Sequence, residues 1–195
     1  MRKRVSAIAA VIAGCLVSSG GLQAAPTSVY SDIALDKCTL LEEEPEFGSA
    51  LWRCDGIAGY DIYLREGDLR FYIAFGRDGA FPGKHGQTLA PFNRLGEKLE
   101  WRLDEEGQPF ATIVRYFVDR GSHQAGIDPL PDGQVLVVSK FEDGESCHMA
   151  FIDALETPNA NAVAREVADD RSAHFVCRSD APDLEGVVGE DLGIR

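Results

Sequence analysis

Period-two alternation of apolar and polar residues dominates the chain. Tyr60, Ile62 and Leu64 alternate with Asp61, Tyr63 and Arg65; Glu66, Gly67 and Asp68 form a turn; Leu69, Phe71, Ile73 and Phe75 then alternate with Arg70, Tyr72 and Ala74. Successive side chains of a strand point to opposite faces, so this pattern predicts a β-hairpin with one buried face. A second hairpin follows, with Leu99, Trp101 and Leu103 alternating with Lys98, Glu100, Arg102 and Asp104, a turn over 104–109, and a return strand over 110–118. That return strand is apolar on both faces except for Arg115, as are 135–138 and 149–152. Such runs read as central strands covered on both sides.

The helical period occurs once. Thr157 offers an N-cap oxygen, Pro158 suits the first helical position, and Ala160, Val163, Ala164, Val167 and Ala168 fall at i, i+3, i+4, i+7 and i+8. The spacing predicts a helix over 158–171 whose small stripe lies close on a sheet, with Asn161, Arg165, Glu166, Asp169 and Asp170 opposite and an Arg165–Asp169 pair at i, i+4. Residues 174–177 read as a short last strand. The expected fold is mainly β or α+β: an antiparallel sheet or sandwich of 7–9 strands with one helix near the C-terminus. A single domain over 38–178 is expected, with a connecting arm at 25–37 and an acidic, Gly-rich, frayed tail at 179–195.

The N-terminus has a different pattern. Arg2, Lys3 and Arg4 precede an apolar run from Val5 to Val17, and a small-residue segment ends at Ala24 and Ala25. A basic start, a 13-residue apolar stretch and a small-residue cleavage zone predict a signal peptide over 1–24. The run is shorter than the roughly 20 residues that span a bilayer. Ile12, Ala13, Gly14 and Cys15 also fit a lipoprotein cleavage box, so the alternative to a periplasmic or secreted chain is one anchored through a lipidated Cys15. No later stretch is long and apolar enough to cross a membrane.

Charge narrows the partners. The 195 residues hold 19 Lys and Arg against 32 Asp and Glu, a net charge of −13, and no acidic group lies in residues 1–24. Export would sharpen the imbalance. An acidic chain repels a phosphate backbone, which excludes nucleic acid as a partner and favours a basic envelope or secreted protein.

Four cysteines remain outside the leader: Cys38, Cys54, Cys147 and Cys177. In an exported chain an even count predicts disulfides, with three connectivities open. Pairing Cys38 with Cys54 and Cys147 with Cys177 is simplest, because each pair brackets one supersecondary unit. Zinc is the rival reading, but the chain has no CxxC spacing.

Two long loops carry the candidate binding residues. The first, 76–96, brings Arg77, Phe81, Lys84, His85 and Phe92; it reads either as an aromatic, basic contact surface or as a crossover with its Phe side chains tucked inward. The second, 119–133, contains Ser122 and His123. Neighbours in sequence do not reproduce nucleophile, base and orienting group, and no GxSxG elbow occurs, so no catalytic residue is assigned. Glu142, Asp143, Gly144 and Glu145 lack the alternating ligands of a calcium loop, and 42–44 and 104–106 read as solvated turn faces. His148 reads as a core or edge group sharing a strand face with Ala150 and Ile152. No phosphate-binding Gly loop is present. Neither metal nor cofactor is expected.

In size, cysteine count and β content the chain is similar to small exported lysozyme inhibitors. The Ser-Gly-x-x-Tyr loop of several of these is absent from 25–195, so the resemblance implies a class and not a site. The expected function is a non-catalytic, disulfide-stabilised binding or inhibitor module of the bacterial cell envelope. The alternatives are a structural or accessory envelope protein, or an enzyme using the 76–96 and 119–133 loops.

Overall fold

The computed structural model describes residues 25–83, 86–121, 130–186, 189 and 192–194. Within these, ten strands and one helix follow in the order β1 (Thr27–Asp32), β2 (Thr39–Glu44), β3 (Ser49–Asp55), β4 (Tyr60–Gly67), β5 (Arg70–Arg77), β6 (Asn93–Leu103), β7 (Pro109–Val118), β8 (Gly133–Glu142), β9 (Glu145–Asp153), α1 (Ala160–Arg171) and β10 (Asp183–Leu184). Four strands, β2-β3-β4-β5, form a small antiparallel sheet; six, β1-β6-β7-β8-β9-β10, form a larger one. The ten strands exceed the expected 7–9, because two short edge strands lie in segments read from sequence as arm and tail.

Three layers result. Ile62, Leu64, Ile73 and Phe75 of the small sheet pack against Leu99, Trp101, Val114, Tyr116, Val137 and Phe151 of the large one. On the far face of the large sheet, Ile113, Leu136, Val138, Met149 and Ile152 meet Ala160, Ala164, Val167 and Ala168 of α1. Strands β7 and β8 are apolar on both faces because the small sheet covers one face and the helix covers the other. The aromatic centre is a set of edge and tilted ring contacts among Tyr60, Phe75, Trp101 and Phe141, with centroids 4.8 to 5.3 Å apart.

The segment read as a connecting arm contains β1, which pairs antiparallel with β6 from Thr27↔Leu103 to Asp32↔Lys98. The Trp101 indole N–H donates to Ser31 Oγ at 3.1 Å, so the edge strand satisfies a buried donor of the central one. Part of the tail is also ordered. β10 runs parallel to β9, Arg171 pairs with Asp183 and Glu185, and Leu192 is 2% exposed in the main core. Residues 174–177 are irregular and not a strand. The antiparallel sheet therefore does not arise from a Cys147–Cys177 strand pair, although both local bridges are present, Cys38–Cys54 and Cys147–Cys177.

The helix departs from the sequence reading at its start and in its charges. It begins at Ala160 with Asn159 as N-cap in the left-handed region, and no side chain caps it. Arg165 and Asp169 do not pair with each other. Arg165 bonds Glu100, and Asp169 takes two bonds from Arg102, at 2.9 and 2.6 Å. Four residues of helix advance about 6 Å and two of strand about 6.6 Å, so the i, i+4 positions of α1 match the i, i+2 positions of β6 rung for rung. Ser28 and Tyr30 of β1 complete the network by bonding Glu100, Arg102 and Arg165. Glu100 and Arg102, the polar face of β6, are thereby only 6% and 5% exposed.

Candidate functional site

A deep concavity lies at one end of the sandwich. It is a cleft of about 830 Å³ between the β6–β7 turn, the β8–β9 turn, Pro26 just before β1 and the C-terminal end of α1. Its floor is aromatic, with Tyr60, Phe110 and Phe141; its walls carry Asp104, Glu105, Glu106, Glu142, Asp143 and Asp169 against Arg77 and Lys140. Concave, largely apolar floors with a few polar groups at the rim are the usual form of binding sites, and this volume lies within their range.

Turn chemistry positions the acids. The Asp104 carboxylate accepts the backbone N–H of Glu106 and of Gln108, and Gly107 takes the positive φ that closes the turn, which leaves Glu105 and Glu106 projecting. Across the cleft Asp143 and Gly144 form the two-residue turn of the β8–β9 hairpin, both at positive φ as this turn type requires. Gly144 lies against Tyr60: a Cβ there would stand 3.3 Å from the ring. The second acidic turn is thus seated directly beside the aromatic floor.

The acids are not neutralised equally. Asp169 is committed to Arg102, and Glu142 lies 3.4 Å from Lys140, whose ammonium also donates to the Phe175 carbonyl. Glu105, Glu106 and Asp143 make no ion pair among the described residues. The Arg77 guanidinium stacks on the Tyr60 ring at 3.6 Å and donates to the Ala58 carbonyl at 3.3 Å. The cleft is therefore a negatively charged recess with a stacking floor, suited to a cation that brings an apolar stem.

The candidate residues drawn from the loops are distributed over the molecule. Arg77 lines the cleft. Phe81 folds onto the outer face of the small sheet against Tyr63, with ring centroids 5.4 Å apart, and joins Leu51 and Ala74 there. Phe92 is exposed at the opposite end of β5, beneath the Arg70 guanidinium at 4.8 Å. Lys84, His85, Ser122 and His123 lie outside the described residues. The first loop is the crossover from small to large sheet, but its Phe side chains do not enter the core between the sheets. It runs back along β5 so closely that a Cβ on Gly86 would meet the Ile73 carbonyl at 1.6 Å. Asn93 fastens its end, accepting the Phe71 N–H and donating to Pro91 O. Since β5 spans about 23 Å, Arg77 and Phe92 do not share a site.

His148 is corrected by a β-bulge. The pairing shifts between Val138↔Ala150 and Ser139↔His148, leaving Met149 as the extra residue. The imidazole consequently faces the space between the sheets with Thr112, Val114 and Tyr116, away from Ala150 and Ile152. Its backbone N–H finds Gln87 of the crossover loop, and burial depresses its pKa to about 4. Burial raises the Tyr116 hydroxyl pKa in the same way. No group of three or more His, Cys, Asp or Glu among the described residues is arranged to hold a metal ion, and no described helix is long and apolar enough to cross a membrane.

Sequence reasoning missed the cleft acids, treating 104–106 and 142–145 as unrelated turns. The signal was their equivalent place, each closing a hairpin of what is one sheet. Comparison with protein-family models, with curated proteins and with solved structures finds no match.

Proposed function

We propose that the chain is an exported, non-catalytic binding or inhibitor module of the bacterial cell envelope that captures a basic protein through the acidic end cleft. The observation that carries this is the convergence of two acidic hairpin turns on an aromatic floor, with three carboxylates lacking a counter-ion among the described residues. Two disulfides support export to an oxidising compartment, periplasmic or extracellular. Charge of one sign concentrated in a recess accelerates encounter with an oppositely charged partner and makes the encounter salt-dependent.

The test is affinity capture from an envelope and secretome extract with residues 25–195, at low salt and near half-molar salt, alongside Glu105→Lys and Asp143→Lys variants. The expected result is a basic protein retained at low salt, released at high salt and lost with either variant. A basic protein that binds both variants as well as the native chain would place the contact elsewhere, and retention of nothing in either buffer would refute the binding reading.

A further inference from the structure

We infer that the end cleft reads an arginine side chain, and that Arg77 occupies the guanidinium position until the ligand arrives. The inference rests on the cleft being the site for a basic partner and adds which cation it selects. Three observations converge. The Tyr60 ring is 5% exposed, and Arg77 lies over it at 3.6 Å, within the distance of a face-on cation–π stack. Arg77 is itself exposed and lightly held: its one described hydrogen bond is the 3.3 Å contact to Ala58 O, and it forms no ion pair among the described residues. The hairpin turn carrying Asp143 is seated against the same ring through Gly144, yet the cleft carboxylates Glu105, Glu106 and Asp143 pair with no described cation.

A guanidinium entering from solvent has an advantage over Arg77. It replaces one stack with an equivalent stack, so the aromatic contact is exchanged and not lost, and the unpaired carboxylates line the same cleft. Its planar fork suits bidentate contact with a carboxylate while its flat face covers a ring. An ammonium is compact and strongly hydrated, and it lacks the flat face. Arginine selection over lysine follows from the tyrosine floor; the carboxylates alone would attract both.

The experiment titrates residues 25–195 with two blocked pentapeptides, Gly-Gly-Arg-Gly-Gly and its Lys counterpart, following backbone amide shifts by NMR at low salt. Shifts confined to 58–60, 104–109 and 142–144 are expected, with the Arg peptide bound about two- to fivefold more tightly than the Lys peptide, the range that one stacking contact supplies. Arg77→Ala is expected to tighten the Arg peptide by a similar factor, and Asp143→Asn to weaken both peptides. Thermal melts establish that both variants are folded, and neither residue is in the core. Equal binding of the two peptides at the cleft would overturn arginine selection and leave the basic-partner reading standing. An Arg77→Ala variant that binds the Arg peptide no better, or more weakly, would overturn the surrogate role. Absence of shifts in the cleft with either peptide, while a basic protein is still captured through Glu105 and Asp143, would overturn the inference and not the function.

Discussion

A buried charge pair ties α1 to β6. The Arg102 side chain is 6% exposed and its guanidinium is satisfied by Asp169, Ser28 Oγ and the Pro26 carbonyl. Asp169→Ala removes the only counter-charge of that set. Breaking a buried ion pair costs about 3–5 kcal/mol, because a desolvated charge is left without compensation. The Asp169 side chain is 25% exposed, so water reaches the guanidinium once the carboxylate is gone, and the expected loss sits at the lower end, about 3 kcal/mol. In a chain of this size that lowers the melting temperature by about 6–12 °C. The double variant Arg102→Met with Asp169→Leu removes both charges and fills the space, so it is expected to lie within about 1 kcal/mol of the native protein. Urea unfolding of the oxidised protein for the four corners of this cycle gives the coupling directly. As a control, Lys98→Ala breaks the Lys98–Asp32 pair, whose side chains are 60% and 45% exposed, and is expected to change stability by less than about 0.5 kcal/mol. A loss below about 1 kcal/mol for Asp169→Ala, or single losses that simply add, would show that the Ala and Val stripe holds the helix and that the crossed pairs do not.

Burial of His148 makes stability depend on pH: with its pKa depressed from 6.5 to about 4, the unfolded chain binds a proton that the folded chain excludes between those values, so stability is full above pH 6.5 and falls by about 3 kcal/mol as pH drops toward 4. His148→Met is expected to remove that part of the slope, read from urea midpoints at pH 7 and 4.5; an unchanged slope would refute the assignment. Replacing Cys147 and Cys177 by Ala is expected to cost about 3.6 kcal/mol and replacing Cys38 and Cys54 about 3.1 kcal/mol, because the closed loops span 30 and 16 residues; thermal melts that reverse the order would contradict the chain-entropy account. Leu192→Ala should lose about 2–3 kcal/mol in a melt although it lies beyond the last described strand, since the side chain is buried against the core beside Gly133; a neutral result would mean that this segment is not docked.

Local periodicity was enough to show the two hairpins, the central strands, the helix and its buried stripe; the disulfide connectivity stayed open among three pairings until the structure decided it. In each the signal lies within a few residues, where a two-residue or 3.6-residue repeat states which side chains share a face. β1 escaped because it is a polar edge strand, recognisable only through its partner β6, more than sixty residues away. The face of His148 escaped because a single extra residue, Met149, reverses the side-chain parity of the strand before it. The helix charges escaped because Arg165 and Asp169 had two satisfactory sets of partners, and only the rung match with β6 decided between them. The cleft is the largest such case. Glu105 and Asp143 belong to turns that are each ordinary in sequence; the antiparallel order of β6, β7, β8 and β9 places both turns at one end of the sheet, and the small sheet supplies Tyr60 beneath them. Composition alone determined that this protein presents an acidic surface. Where that charge becomes concave, and what lies at its floor, was decided by the packing of two sheets, because contacts between distant segments leave no period in the chain.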